Sequence, residues 1–487
     1  MSSANEMPFE GLSINGLRTA AEEGQSTAIL DPSTNEKIAI VARASANDVD
    51  KAVEVAHNTF NSSEWKKITS RERGQLLQKT ADIIRQRLDN LALLESRNAG
   101  KPIAAARAEI EAAANCFEYY AGAVNKFHGQ TIPVAAKGTM LTFREPLGVC
   151  GLITPWNFPL LITCWKLAPA LAMGNTAVIK PAALTPLSVL QLSDIIVEAG
   201  IPAGVVNVVP GSGSVAGEAI VKNPLVRKIS FTGSTEVGAR IMKMAADDIK
   251  RVSLELGGKS ANVVFADANL DDCIESSLFS VFDNAGQDCC SRSRILVEEK
   301  IFDDFVARFV ERTESMRIGL TQSEDTEMGP LISAQQRDSV YKYIDIAASE
   351  GASRLCGGQI PEQGDLVHGN YLTPAVYVDV KPQMRIMQEE IFGPLACIMP
   401  FKSEKQAIDF ANDSPYGLSG SIWTRDIGRA LRVARAIHTG MLSVNSSSSV
   451  HIEAPFGGMK HSGIGREQGM AALEYYSELK SIFIADN

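Results

Sequence analysis

The chain has 487 residues, 45% of them hydrophobic and 21% charged, with a formal net charge of -10 at neutral pH. That length holds two or three domains with sizeable cores. The acidic balance argues against nucleic acid or an anionic membrane as main partner, since both need a basic face. There is no apolar run of about eighteen residues to span a membrane, and residues 1–11 lack a secretory leader's basic-then-apolar order. The 8 cysteines show no CxxC pair and no zinc-like spacing, so no metal is expected and a reducing, cytoplasmic compartment is.

Residues 12–45 alternate short β-prone runs with turns and read as a hairpin-rich entry. From Ala46 the period lengthens, and Ser45 or Asn47 caps a helix with Val49, Ala52, Val53 and Ala56 on one face. Residues 70–98 read as one long amphipathic helix carrying Leu76, Leu77, Ala81, Ile83, Ile84, Leu88 and Leu91, ended by Gly100-Lys101-Pro102. Residues 104–127 form a second, alanine-rich helix. Two strands, 129–133 and 139–146, turn at Lys137-Gly138 and interrupt the helices, so this hairpin is expected to leave the body of its domain. From Gly148 strands (148–153, 176–180, 205–209, 228–231) alternate with helices (through 167–172, and 186–199). A second such pattern follows Gly258, with strands at 261–265 and 295–297 and helices at 270–282 and 301–316. The fold class is therefore α/β, with parallel sheets, right-handed crossovers and a ligand at the carboxyl ends of the strands.

Five stretches carry chemistry. Gly211-Ser212-Gly213-Ser214-Val215-Ala216-Gly217 misses the dinucleotide pattern G-x-G-x-x-G by one position and reads as a turn. Phe231-Thr232-Gly233-Ser234-Thr235-Glu236-Val237-Gly238 is the better candidate, a strand entering a helix whose free N–H groups can hold a pyrophosphate. Glu255, in Leu254-Glu255-Leu256-Gly257-Gly258-Lys259, sits in an apolar setting that raises a carboxyl pKa toward general-base use; a strand-end glutamate is the plainer alternative. Thr154-Pro155-Trp156-Asn157-Phe158-Pro159 is a rigid aromatic turn whose amide can donate to an oxyanion, or a structural turn only. Cys289 and Cys290 follow Asn284-Ala285-Gly286-Gln287 at a loop tip. There Arg292 and Arg294 can lower a thiol pKa and make it a nucleophile; the alternative is a buried small hydrophobe.

Together with Glu389-Glu390-Ile391-Phe392-Gly393-Pro394 and the glycine-rich run 455–467, and in this order, these stretches closely resemble the NAD(P)-dependent aldehyde dehydrogenase superfamily over nearly the whole chain. The resemblance implies a Rossmann-type cofactor domain (1–127 and 148–257), a catalytic domain (258–453) and a small β oligomerisation arm (128–147 and 470–487). It implies a homodimer or homotetramer whose tail strand, around 479–485, pairs with a partner's sheet edge. Cys289 would be the nucleophile, Glu255 the general base, and Asn157 the oxyanion donor with the Cys289 backbone N–H. Lys166 and Glu467 match a proposed proton relay, or are structural. Trp156, Lys180, Gly233, Ser234, Gly238, Glu390 and Phe392 would meet NAD. Ala183 stands where many NAD-preferring members have a ribose-binding glutamate, so NADP is expected to be tolerated. Phe158, Trp165 and Phe456 would wall the aldehyde site. Asp288 would attract a cationic aldehyde, such as betaine aldehyde or an aminoaldehyde, or only bond its own loop. The serine loop 446–449 lacks the aromatic that betaine aldehyde enzymes often place there. A CoA-acylating member typically lacks the base that Glu255 supplies. A non-catalytic member of the fold, or a cofactor-free thiol esterase, are the remaining alternatives.

Overall fold

A computed structural model describes residues 7–486 of the chain. Its entry is built by local turn chemistry. Asn15 and Gly16 both take positive φ (54° and 73°), the requirement of a tight two-residue hairpin turn, and join the strands Leu12–Ile14 and Leu17–Thr19. A second hairpin joins Ser26–Leu30 and Lys37–Ala42. Ser45 then starts the helix Ala46–Asn61 through a reciprocal capping box with Asp48, whose buried face is Val49, Ala52, Val53 and Ala56.

The stretch expected as one helix over 70–98 is two, Ser70–Gln86 and Leu88–Ala99, broken at Arg87 (φ -105°, ψ 14°). The break re-aims the second helix so that Leu91, Ala92, Glu95 and Ser96 all turn inward. Gly100 closes it in the left-handed conformation (φ 77°). Ile103–Ala123 follows and ends four residues before the predicted boundary.

The larger sheet has eight strands. Its five central strands are parallel, in the spatial order Arg251–Glu255, Val226–Thr232, Val149–Ile153, Thr176–Lys180 and Val206–Val208. The entry hairpin pairs antiparallel beyond Val206–Val208, and Gly463–Ile464 pairs antiparallel beyond Arg251–Glu255. The chain starts at Val149–Ile153, winds outward two strands, then returns to the other side of its first strand. The loops after Val149–Ile153 and Val226–Thr232 therefore diverge, and a crevice opens at their carboxyl ends, as it does at such reversals in open α/β sheets. Register aligns Lys180 with Ile153, Ile153 with Phe231, and Thr232 with Glu255 along that rim.

A second sheet has seven strands, in the order Ser353–Cys356, Ala375–Val378, Leu395–Phe401, Arg294–Glu298, Ala261–Val264, Gly420–Trp423 and Ser443–Val444. All but the first are parallel. Each sheet has its own apolar core.

A further three-stranded sheet holds the tail. The tail strand Ser477–Ala485 pairs along its whole length with Gly138–Pro146 of the same chain, from Ser477 opposite Pro146 to Ala485 opposite Gly138. The predicted strand at 129–133 shrinks to Thr131–Ile132. Residues Met470–Tyr476, expected in the arm, are instead a helical turn with Ala472, Leu473 and Tyr476 buried in the body. No described helix is long and apolar enough to cross a membrane.

Candidate active site

Cys289 rides on a loop held by unusual backbone. After the helix Leu270–Phe282, Asn284, Ala285 and Gly286 take φ of 49°, 55° and 71° in succession, a left-handed run that costs a non-glycine residue energy and persists only where the surroundings impose it. They do so through Gln287. Its buried side chain accepts from Ile332 N (2.9 Å) and donates to the Asn284 carbonyl (2.9 Å). Its backbone carbonyl accepts from Asn157 Nδ2 at 3.0 Å and Asn284 Nδ2 at 3.3 Å. Asn284 Nδ2 also donates to the Asn157 carbonyl at 3.1 Å. The aromatic turn and the thiol loop are thus tied together, and a carboxamide nitrogen has a second N–H left for another acceptor. A Cβ on Gly258 would lie 2.3 Å from the Cys289 carbonyl, so glycine there lets the two segments touch.

The expected help from Arg292 and Arg294 is absent. Arg292 donates to the hydroxyls of Ser421, Ser419 and Ser449. Arg294 donates to the carbonyls of Lys259, Phe410, Ala411 and Asp413. The Cys289 pKa is pushed well above the ordinary thiol value, first by its hydrogen bond with the Cys290 thiol, then by burial and by the negative charges of Asp288 and Glu390.

Glu255 ends its strand buried, with neither carboxyl oxygen bonded to protein. Burial foremost, and the negative charge of Glu467 next, raise its pKa well above the carboxylate range, against the pull of Lys166 and Arg466. Beneath it Lys166 pairs with Glu467 Oε1, and Ser230 Oγ lies 3.1 Å from both Lys166 Nζ and that oxygen.

Cys289, Glu255 and Asn157 all open onto one cleft of about 560 Å³, shared with Trp156, Lys180, Ala183, Gly233, Ser234, Glu390 and Phe392. Ser234 caps the helix Thr235–Ala245, whose start faces the cleft. Trp156 and Phe392 meet edge to face at 5.1 Å. Glu390 Oε1 accepts from Gly258 N at 3.0 Å, and its pKa rises to about 7, mainly through burial. A Cβ on Gly257 would fall 2.2 Å from Glu390 Oε2. A free helix start, a carboxyl with an unused oxygen and close-set glycines fit a dinucleotide. The Lys180 pKa falls to about 8 through burial, and its Nζ already donates to the Pro181 carbonyl at 2.7 Å.

Four sequence expectations shift. The run 211–217 is no simple turn: Gly213–Gly217 is a wide helical turn capped by Ser212, and Gly211, Gly213, Ser214 and Gly217 line the cleft. Gly238 does not line it; a Cβ there would meet Leu256 at 2.6 Å, so this glycine seats the helix on the sheet. Asp288 accepts from Cys290 N at 2.9 Å, the local bonding that was its alternative reading. Trp165 and Phe456 are buried against each other at 4.9 Å, and the half-buried Phe158 ring carries the Lys101 ammonium 3.7 Å from its centre. Glu218 and Arg240, which sequence reasoning missed, also line the cleft. Neither belongs to a recognisable pattern.

Fold and cleft together define a dinucleotide-type oxidoreductase of the α/β class. Residues 19–482 match the aldehyde dehydrogenase family, and the chain belongs to it. It is 42% identical to the betaine aldehyde dehydrogenase of Bacillus subtilis strain 168 over 97% of this chain and 96% of the relative. It is 43% identical to human retinal dehydrogenase 2 over 98% and 92%. Among solved structures, the NAD+ complex of an aldehyde dehydrogenase from Bacillus cereus superposes with a TM-score of 0.96 at 40% identity, covering 98% of this chain and 97% of that one.

Proposed function

We propose that this enzyme oxidises an uncharged aldehyde to its carboxylic acid with NAD, tolerating NADP, and that Cys289, Asn157 and Glu255 carry the reaction. The convergence of these three side chains on one cleft is the observation that carries this reading. Cys289 sulfur adds to the aldehyde carbon as its thiolate, and the second N–H of Asn157 Nδ2 donates to the oxygen as charge develops there. A dinucleotide held by Lys180, Ser234 and Glu390 would supply the hydride acceptor, and the NAD+ complex of the Bacillus cereus aldehyde dehydrogenase supports NAD as that dinucleotide. Glu255 then takes a proton from the water that cleaves the Cys289 thioester. Glu467 and Lys166 pass that proton away from the cleft.

The relatives' names favour neither a cationic nor a neutral substrate, but the site does. Asp288 is engaged with Cys290 N, the 446–449 loop offers only serines, and one face of Phe158 already carries Lys101. An ammonium substrate finds no open aromatic face there, and the one nearby carboxylate, Asp288, is held to its own loop through one oxygen. Two further readings accompany this one: a homodimer or homotetramer joined through the 131–146 and 477–485 sheet, and a cytoplasmic location.

The test is dinucleotide reduction by the purified enzyme with short aliphatic, aromatic, semialdehyde, aminoaldehyde and betaine aldehydes, using both cofactors and Cys289→Ala as control. Turnover should vanish in the control, and kcat/KM should be highest for neutral aldehydes. A preference for betaine aldehyde overturns the substrate assignment, and strict rejection of NADP overturns the cofactor assignment.

A further inference from the structure

The mechanism above uses one thiol, yet the loop presents two. Cys290 is buried, with only 4% of its surface exposed. A carboxylate oxygen of Asp288 and the two Sγ atoms all lie within 4.8 Å of one another. The sequence hides this cluster, because spacing rules for metal sites look for ligands separated by two or more residues, and these three are consecutive.

We propose that Asp288, Cys289 and Cys290 form a site for a thiophilic divalent cation, zinc being the type case, and that its occupation reversibly blocks the enzyme. Metal–sulfur bonds of about 2.3 Å and metal–oxygen bonds of about 2.0–2.2 Å at tetrahedral angles place donors roughly 3.4–3.8 Å apart. Closing the present spread to that geometry takes rotamer adjustments of about 1 Å rather than refolding of the loop. The backbone is already set for it: Cys290 N donates to Asp288 Oδ1, Ser291 N donates to the Asp288 carbonyl, and Asp288 Oδ2 is left for the ion. Of the three, Cys289 lines the cleft, so a fourth position on its side would be open to water, as at three-ligand zinc sites.

The electrostatic setting has the right sign. Arg294 is spent on backbone carbonyls elsewhere, and Arg292 on three serine hydroxyls and, at 3.4 Å, the Cys290 backbone carbonyl, not on either thiol. Asp288 and Glu390 bear on the thiol with negative charge. Two carboxylates close to the pair suit a doubly charged cation. Binding is an exchange without redox change: two S–H bonds break, two metal–sulfur bonds form, and two protons leave to solvent. The nucleophile's electron pair is then held by the metal and the aldehyde cannot add.

Blockade rests on Cys289 being the nucleophile, whereas metal binding does not, and the experiment reads the two apart. Cadmium is titrated into the full-length wild-type enzyme and into Cys289→Ser, Cys290→Ser and Asp288→Asn, following thiolate-to-cadmium absorption in the ultraviolet. In parallel, zinc is titrated against aldehyde oxidation, with chelator added at the end. One cadmium per chain with a two-thiolate band is expected in wild type, about half that band in each cysteine variant, and full recovery of activity with chelator. Cys290→Ser, with inhibition scored against its own zinc-free rate, should need more zinc for half-inhibition, by at least the roughly 10–100-fold that losing even an outer-sphere partner costs a metal site. Asp288→Asn should keep the two-thiolate band at reduced affinity. Equal zinc sensitivity in wild type and Cys290→Ser, or a one-thiolate band in wild type, overturns the proposal. A two-thiolate band in an enzyme that oxidises none of the aldehydes supports the site and counts against the nucleophile assignment alone.

Discussion

At the scale of single residues, Glu255 is set apart by what it lacks. Among the described residues it is the one carboxyl group with both oxygens buried and unpartnered. Burial, reinforced by Glu467, holds it protonated well above the usual range. A base works only when deprotonated, so the hydrolytic half of the reaction should accelerate as pH rises toward that raised pKa, while addition of the thiol does not need this group. Glu255→Gln keeps the shape and removes the base. Rapid mixing with aldehyde and dinucleotide should show one equivalent of reduced cofactor per site, then a steady rate lower by about 10²–10⁴-fold, with the alkaline rise in kcat gone. Loss of the burst in equal proportion would assign Glu255 to the first half-reaction instead.

At the scale of elements, the helix Pro159–Ala172 fixes the Trp156-Asn157 turn, yet its N-cap residue, Phe158, makes no side-chain cap. The cap is remote: Glu95, from Leu88–Ala99, accepts from Leu160 N at 3.2 Å. Burial first, then the negative charge of Glu109, raise its pKa to about 8, with Lys101 opposing. A folded-state value above the unfolded one gives a contribution that is complete below the ordinary carboxyl pKa of 4.5 and is lost as pH rises to about 8. Glu95→Gln retains the acceptor oxygen and cannot ionise. Its apparent unfolding temperature should match wild type near about pH 5 and exceed it near about pH 9, from a difference on the order of a few kcal/mol. A shift of the same size at both pH values would mean that packing, not ionisation, is the cause. What the sequence made legible at this scale was local. The Asn15-Gly16 turn, the Ser45 cap and the strand–helix alternation are set by residues next to one another, and so is the motif that marks Cys289. The break at Arg87 carries no glycine or proline to announce it, and only tertiary burial of Glu95 and Ser96 explains it. Arg292 and Arg294 lie near Cys289 in sequence, but their guanidinium groups reach residues more than a hundred positions away. For Asp288 the sequence left two readings, a cation-attracting charge or a bond within its own loop, and the hydrogen bond from Cys290 N supports the second.

At the scale of the molecule, the three-stranded sheet of Ser477–Ala485, Gly138–Pro146 and Thr131–Ile132 exposes more apolar surface than a small sheet leaves uncovered without reason. Leu479 is 56% exposed, Ile484 53% and Phe143 43%, and Ser477–Ala485 is an unpaired edge nine residues long. An edge of that length and character pairs with another chain unless something protects it. Its root is bonded to the helices and loops around the eight-stranded sheet. Glu467 pairs with Lys166, the Gly469 carbonyl accepts from Tyr120 OH at 3.1 Å, and Asn175 Nδ2 donates to the Tyr476 carbonyl at 2.8 Å, all within the segment that leads into the strand. Assembly through the sheet would therefore hold in place the tail that carries Glu467. Placing charge on the edge with Ile482→Asp and Ile484→Asp should lower the molar mass measured by light scattering from two or four chains to one. It should also reduce kcat more than KM, as the proton-relay role proposed for Glu467 requires. A wild-type mass of one chain would remove the interface. A monomeric variant with unchanged kcat would keep the interface and show that the tail's own hydrogen bonds are enough to hold Glu467.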